Sequence, residues 1–87
     1  MSLEFPNRSR SFDDVRNAVR FMGHDGLFEV PFFVEAGALA TRSRANPSEA
    51  DYLSAFDAAR YSIYDVAREA YSRGRRSAYM LTASDFR

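Results

Sequence analysis

The chain has 87 residues, no cysteine and a formal net charge of zero, with 12 acidic residues against 12 basic ones. That length holds one core, read as one domain over residues 1–87, and the absence of cysteine excludes disulfides, thiol catalysis and cysteine-based zinc sites. All 12 basic residues are arginine, which also excludes lysine Schiff-base chemistry and a lysine-containing phosphate loop, while the charge balance argues against broad capture of nucleic acid or of a membrane surface.

Residues 2–5 alternate polar and apolar and read as a short first strand that Pro6 ends. Asn7-Arg8-Ser9-Arg10-Ser11 reads as a polar loop, and Ser11-Phe12-Asp13-Asp14 as a turn or a single helical turn capped by Ser11. Residues 17–22 form the expected second strand, with Val19 and Phe21 on one face and Arg20 on the other. Gly23-His24-Asp25-Gly26 then reads as a tight hairpin connection. Residues 27–34 form the third strand, with Phe28, Val30, Phe32 and Val34 assigned to the core. Leu27, Glu29, Pro31 and Phe33 share its other face. Pro31 has no N–H to give a neighbour, which places this strand at an edge or at a bulge beside residue 31. Residues 35–43 look like a short helix anchored by Leu39.

Residues 46–74 carry the strongest pattern, one long helix of about 40 Å. Asn46 is the expected N-cap, Pro47 the first helical residue, Glu49 the capping-box acid and Gly74 the terminator. Tyr52, Phe56, Ala59, Ile63, Val66 and Ala70 make its apolar stripe, widened by Leu53 and Ala67. Residues 77–82 alternate again as a last strand, and Ser84-Asp85 makes a turn that tucks Phe86 onto the domain. The expected fold is a two-layer α+β domain. A mostly antiparallel sheet of about four strands, in the order β-β-β-α-α-β, is covered by one long helix. Eight Phe and five Tyr supply a core that needs no staples. Strand order does not follow from the sequence.

Several of these stretches together resemble a known family. Leu3-Glu4-Phe5-Pro6-Asn7, Val19-Arg20-Phe21-Met22-Gly23-His24-Asp25, Pro31-Phe32-Phe33-Val34-Glu35, Ala55-Phe56-Asp57 and Leu81-Thr82-Ala83-Ser84-Asp85-Phe86 are similar to a small bacterial family catalogued as domain of unknown function 1488. The resemblance covers nearly the whole chain. It implies a stand-alone α+β domain, and it carries over no activity and no catalytic residue.

Three constellations stand out. Asp57, Tyr61, Tyr64, Arg68 and Tyr71 recur on one side of the long helix, off the core stripe, and tyrosine and arginine are enriched at protein interfaces. Leu27 and Phe33 add an apolar patch if nothing covers them. Arg8 and Arg10 flank Ser9 and are the anion-binding candidates. Arg73, Arg75 and Arg76 surround the helix C-terminus, whose dipole accounts for Arg73 and Arg75, and Arg42 and Arg44 precede its start. His24 beside Asp25 is better read as turn chemistry than as a general base, as is Ser84-Asp85. With one histidine, no metal site is expected, and no cofactor.

The reading is a non-catalytic protein-interaction or regulatory module that binds a protein partner or a second copy of itself. The alternatives are an arginine-dependent binder of a phosphorylated ligand or nucleic acid, and a small acid/base enzyme using His24 with Asp25, Asp57 or Asp85. No apolar run reaches membrane-spanning length and the first residues lack a signal-peptide core, so the expected location is the cytoplasm.

Overall fold

The computed structural model describes residues 3–39 and 46–86. Strands β1 (Arg10–Asp13), β2 (Ala18–Asp25) and β3 (Phe28–Glu35) come first. A 3-10 turn at Ala36–Ala38, helices α1 (Glu49–Ala58) and α2 (Arg60–Arg73), strand β4 (Tyr79–Leu81) and a closing 3-10 turn at Ala83–Phe86 follow. The strands lie side by side in chain order, β1-β2-β3-β4. Helices cover one face of the sheet, as the α+β reading requires.

The sheet is mixed. β1, β2 and β3 form an antiparallel meander, and β4 runs parallel to β3. A chain that leaves β3, passes through two helices and returns beside it arrives in the same direction, the usual geometry of a crossover. β4 pairs only with Phe32, Phe33 and Val34. Pro31 therefore lies just beyond the reach of β4, where the absent N–H leaves no gap in that ladder.

β1 falls where the sequence reads as loop and turn, and residues 3–5 make no strand. Glu4 instead pairs alone with His24, through two backbone hydrogen bonds of 2.8 Å. Glu4 faces His24 and Arg10 faces Phe21 on the same edge of β2. The first chain covers six steps where β2 covers three, so the segment between them loops out of the sheet as an enlarged bulge. The hairpin turn also shifts. β2 continues through Asp25, and the turn is Gly26-Leu27, closed by the Asp25–Phe28 pair. Gly26 has φ +63, the glycine-first pattern of a type II′ hairpin.

The long rod is two helices. Ala59, at φ −107 and ψ 12, interrupts it, and its N–H is shared between the carbonyls of Ala55 and Phe56. Ile63 N–H then bonds the Ala59 carbonyl at 3.0 Å, so no loop intervenes. The break turns the buried stripe. Ala59 is exposed, whereas Arg60, Ile63, Tyr64 and Ala67 are buried and Val66 and Ala70 are only half-buried. The start also moves two residues on. Ser48, not Asn46, is the N-cap, and Asp51, not Glu49, closes the capping box. Of the short helix at 35–43, a 3-10 turn remains, with Leu39 buried as expected. Residues 40–43 lie outside the described residues.

The core between the layers is ring-rich. Phe21, Phe32, Phe56, Tyr64 and Tyr79 are buried with Val19, Val34, Ile63 and Leu81, and Phe86 packs against them. Gly23 is needed for close approach, since a Cβ there would sit 2.9 Å from Leu3 Cδ1 and 3.0 Å from Phe5 Cε1. The floor of the N-terminal excursion rests on that glycine.

Candidate functional site

The looped-out segment after Glu4 lies against α2 and leaves a groove of about 410 Å³ between them. Glu4, Phe5, Pro6 and Arg8 line one side, and Tyr61, Tyr64 and Arg68 the other. Pro6 and the Asn7 side chain shape the excursion, since Asn7 Oδ1 accepts from the Ser9 N–H at 2.9 Å in an Asx turn. Phe5 stacks on Tyr64 with ring centroids 4.1 Å apart and planes 2° from parallel. Arg68 fixes the start of the segment. Its Nε donates to the Leu3 carbonyl at 3.2 Å, and its guanidinium lies 5.1 Å over the Phe5 ring. Arg8 Nη1 approaches the Tyr61 hydroxyl at 3.4 Å. That hydroxyl holds the Arg8 guanidinium further toward its charged form. Tyr61 is 71% exposed.

Beside the groove, Asp57 holds two arginines. Arg10 meets it with both ends of its fork, Nε to Oδ1 at 2.9 Å and Nη2 to Oδ2 at 2.7 Å. Arg60 Nη2 donates to Oδ1 at 2.6 Å. The hydrogen bond from Arg10, seconded by its charge and by Arg60, holds the Asp57 carboxyl below the usual carboxylate range. Arg60 is only 4% exposed. It lies over the Phe56 ring at 5.0 Å, and its Nη1 donates to Tyr64 OH at 2.7 Å. Its Nε is buried without a hydrogen-bond partner among the described residues.

The structure thus joins two sets that the sequence left apart. Arg8 of the first loop meets Tyr61, Tyr64 and Arg68 of the helix in one groove, and Arg10 meets Asp57 next to it. Tyr64 is a core residue rather than a boundary one, because the break at Ala59 rotates it inward. Arg10 is committed to Asp57 and is not poised for an external anion. Arg60 had no assigned role, although its place four residues after Phe56 and four before Tyr64 puts it on their side of a helix.

The remaining candidates lie elsewhere. Tyr71 donates its hydroxyl to the buried Asp25 at 2.5 Å, near Arg75. Leu27 is fully exposed at the hairpin tip beside the largely exposed Phe28. Phe33 is 7% exposed, under the Arg16 guanidinium at 4.6 Å, so it gives no open patch. His24 and Asp25, adjacent on a strand, face opposite sides of the sheet. Asp85 accepts from the Thr82 N–H, and Arg42 and Arg44 lie outside the described residues. Among the described residues no cluster of three or more metal-ligating side chains occurs, and no helix is long and apolar enough to cross a membrane.

The groove offers charged forks, an exposed phenol and an aromatic floor. Chemically, guanidinium forks can donate to an anionic oxygen and the rings can pack against an apolar group. A family described as Protein of unknown function (DUF1488) matches residues 3–82, and the chain belongs to that family. No curated protein and no solved structure matches it.

Proposed function

Starting from membership in a family of unknown function, we propose that this chain is a non-catalytic interaction module. It receives an acidic segment of a protein partner in the groove between the N-terminal excursion and α2. The observation that carries this reading is the meeting of Arg8, Tyr61 and Arg68 over Phe5 and Pro6. Arginine and tyrosine dominate contact energies at protein interfaces, and the Arg8 fork, with the Arg68 guanidinium held beside it by the Leu3 carbonyl and Asp65, favours a carboxylate. The zero net charge favours a short peptide segment over the repeated phosphates of a nucleic acid.

The test is a titration of the labelled protein with a glutamate-rich peptide, followed by amide chemical shifts, alongside inorganic phosphate. The peptide should perturb residues 4–8, 61, 64 and 68, and binding should weaken as salt rises. Arg8→Ala and Arg68→Ala should each lower affinity about tenfold, the order expected for one charge-assisted bidentate contact. Binding of phosphate with equal affinity would transfer the site to a small phosphorylated ligand. Shifts outside the groove, or none, would reject the reading. Tyr61→Ala separates a third possibility, self-association through the groove, because it should leave the solution mass unchanged.

A further inference from the structure

The face of the sheet turned away from the helices carries an ordered charge pattern. Alternation and register place Arg20, Met22 and His24 of β2 on it, opposite Phe33, Pro31 and Glu29 of β3, with Met80 of β4 beside Phe33 and the Arg16 guanidinium, ion-paired to Asp13, over the Phe33 ring. Arg20 and Glu29 are exposed, Met22 and Pro31 half-exposed, and Met80 is 43% exposed. Among the described residues neither Arg20 nor Glu29 has an ion-pair partner. The Met22–Pro31 pair lies midway between the Arg20–Phe33 and His24–Glu29 pairs. At ~3.4 Å per residue, the cation and the anion stand about 13 Å apart along the strands, with the apolar pair between them.

We propose that this face binds a second copy of the chain about a two-fold axis passing over the Met22–Pro31 pair. That operation sets Arg20 of each copy against Glu29 of the other. It closes two ion pairs at once and buries Met22 and Pro31 in the centre, with Met80 toward the rim. Self-complementarity of this kind is what an isologous interface requires. A second copy meets the pattern with no other partner supplied, because the surface carries both halves of the match. Strands of four, eight, eight and three residues give a face of roughly 375 Å² per copy at ~3.4 Å per residue and ~4.8 Å per strand. This is below the ~800 Å² of a standard interface, so the dimer is weak and depends on concentration and salt. The groove lies on the helix side and plays no part in it.

Sedimentation equilibrium from about 10 μM to 1 mM tests the pairing, a range that brackets the affinity of a small interface. The wild-type chain should pass from monomer to dimer across that range. Arg20→Glu and Glu29→Arg should each raise the dissociation constant about tenfold or more, since each sets like charges together twice. The double exchange should return it to within about threefold, an interaction term characteristic of contacting residues. Both sites are exposed, and circular dichroism of each variant checks that the fold is intact. A chain that stays monomeric to 1 mM overturns the proposal, as does a dimer indifferent to the single changes or a double exchange that does not restore pairing. Loss of the dimer on Tyr61→Ala, with Arg20→Glu silent, would move the interface to the groove and overturn it equally.

Discussion

Two clusters of arginine, aspartate and tyrosine hang on α2, and they bury opposite members. At its first turn Arg60 is buried and Asp57, its carboxylate, is 41% exposed. Beyond its last turn Asp25 is buried and Arg75, its arginine, is 65% exposed. The guanidinium is weakly hydrated and planar, so the Phe56 and Tyr64 rings can surround it. Its exposed carboxylate is left with an oxygen for Arg10. A carboxylate is harder to desolvate, and Asp25 is met first by a neutral hydroxyl, that of Tyr71. The same three residue types therefore make one site that depends on the outer charge and another that hardly does.

Removing the outer charge from the first cluster should have the largest effect. Breaking a fully buried pair costs about 3–5 kcal/mol. Asp57 is partly solvated and water can enter its place, so Asp57→Ala should cost roughly 2–3 kcal/mol. Urea unfolding measures it, and a loss under ~0.5 kcal/mol, the usual range for a surface change, would sink the contrast. Arg60→Met in the same background should recover most of the loss, because it removes the orphaned cation and keeps the packing. The acid limb gives a second reading. Asp57 has a folded pKa depressed chiefly by Arg10, so its contribution is full above pH ~4 and is lost as pH falls through the folded value. Asp57→Ala should flatten that limb, leaving the part due to Asp13, whose carboxyl is depressed by Arg16.

The inner hydroxyl of the second cluster comes next. Tyr71→Phe deprives Asp25 of a donor at 2.5 Å, and should lower Tm by roughly 4–8 °C, the scale of a net loss of about 1 kcal/mol in a chain this small. The hydrogen bond to Asp25 raises the Tyr71 hydroxyl above its ordinary value. A raised group stabilises fully below the unfolded pKa, near 10, and its contribution is lost as pH rises through the folded one. The wild type should therefore weaken on that limb and the Phe variant should not. Equal alkaline slopes would remove Tyr71 from the cluster.

The layering was legible because burying a sheet face and a helix stripe leaves a period in the sequence. Phe56, Ile63, Val30, Phe32 and Val34 are all buried as the pattern implies, whereas Phe28, assigned to the same face, is 75% exposed because it closes the hairpin turn at the end of the sheet. β1 was not legible. Arg-Ser-Phe-Asp has one apolar residue, and what holds it is the pairing to β2, the stacking of Phe12 on Tyr52 at 5.5 Å and the bond from Arg10 to Asp57. These are contacts from distant parts of the chain. The break at Ala59 was hidden for the same reason. No proline or glycine marks it, and the apolar spacing from Phe56 to Ile63 runs through it without interruption. Half of the groove was visible as a tyrosine–arginine recurrence. The other half needed the excursion, whose existence rests on the three extra residues between Glu4 and Arg10.

The smallest expected effect belongs to Arg75, and it is the sharpest check on the contrast with Asp57. At 3.9 Å from Asp25 and largely in solvent, its ion pair should be worth about 0–0.5 kcal/mol. Its position 5.1 Å over the Tyr71 ring adds little at an exposed site. Arg75→Ala should therefore leave unfolding at neutral pH almost unchanged. Its trace should appear on the alkaline side instead. The charge of Arg75 favours the phenolate and so opposes the upward pull of Asp25 on Tyr71. Without it the folded pKa rises further, and the alkaline loss of stability moves to higher pH. Ultraviolet titration of the phenolate, compared with Tyr71→Phe to isolate this ring, reads the shift directly. Added salt should mimic part of it in the wild type, because the interaction being screened runs near the surface. A large loss at neutral pH with no alkaline shift would mean that Arg75, like Asp57, is the charge its cluster depends on, and the two sites would then be alike.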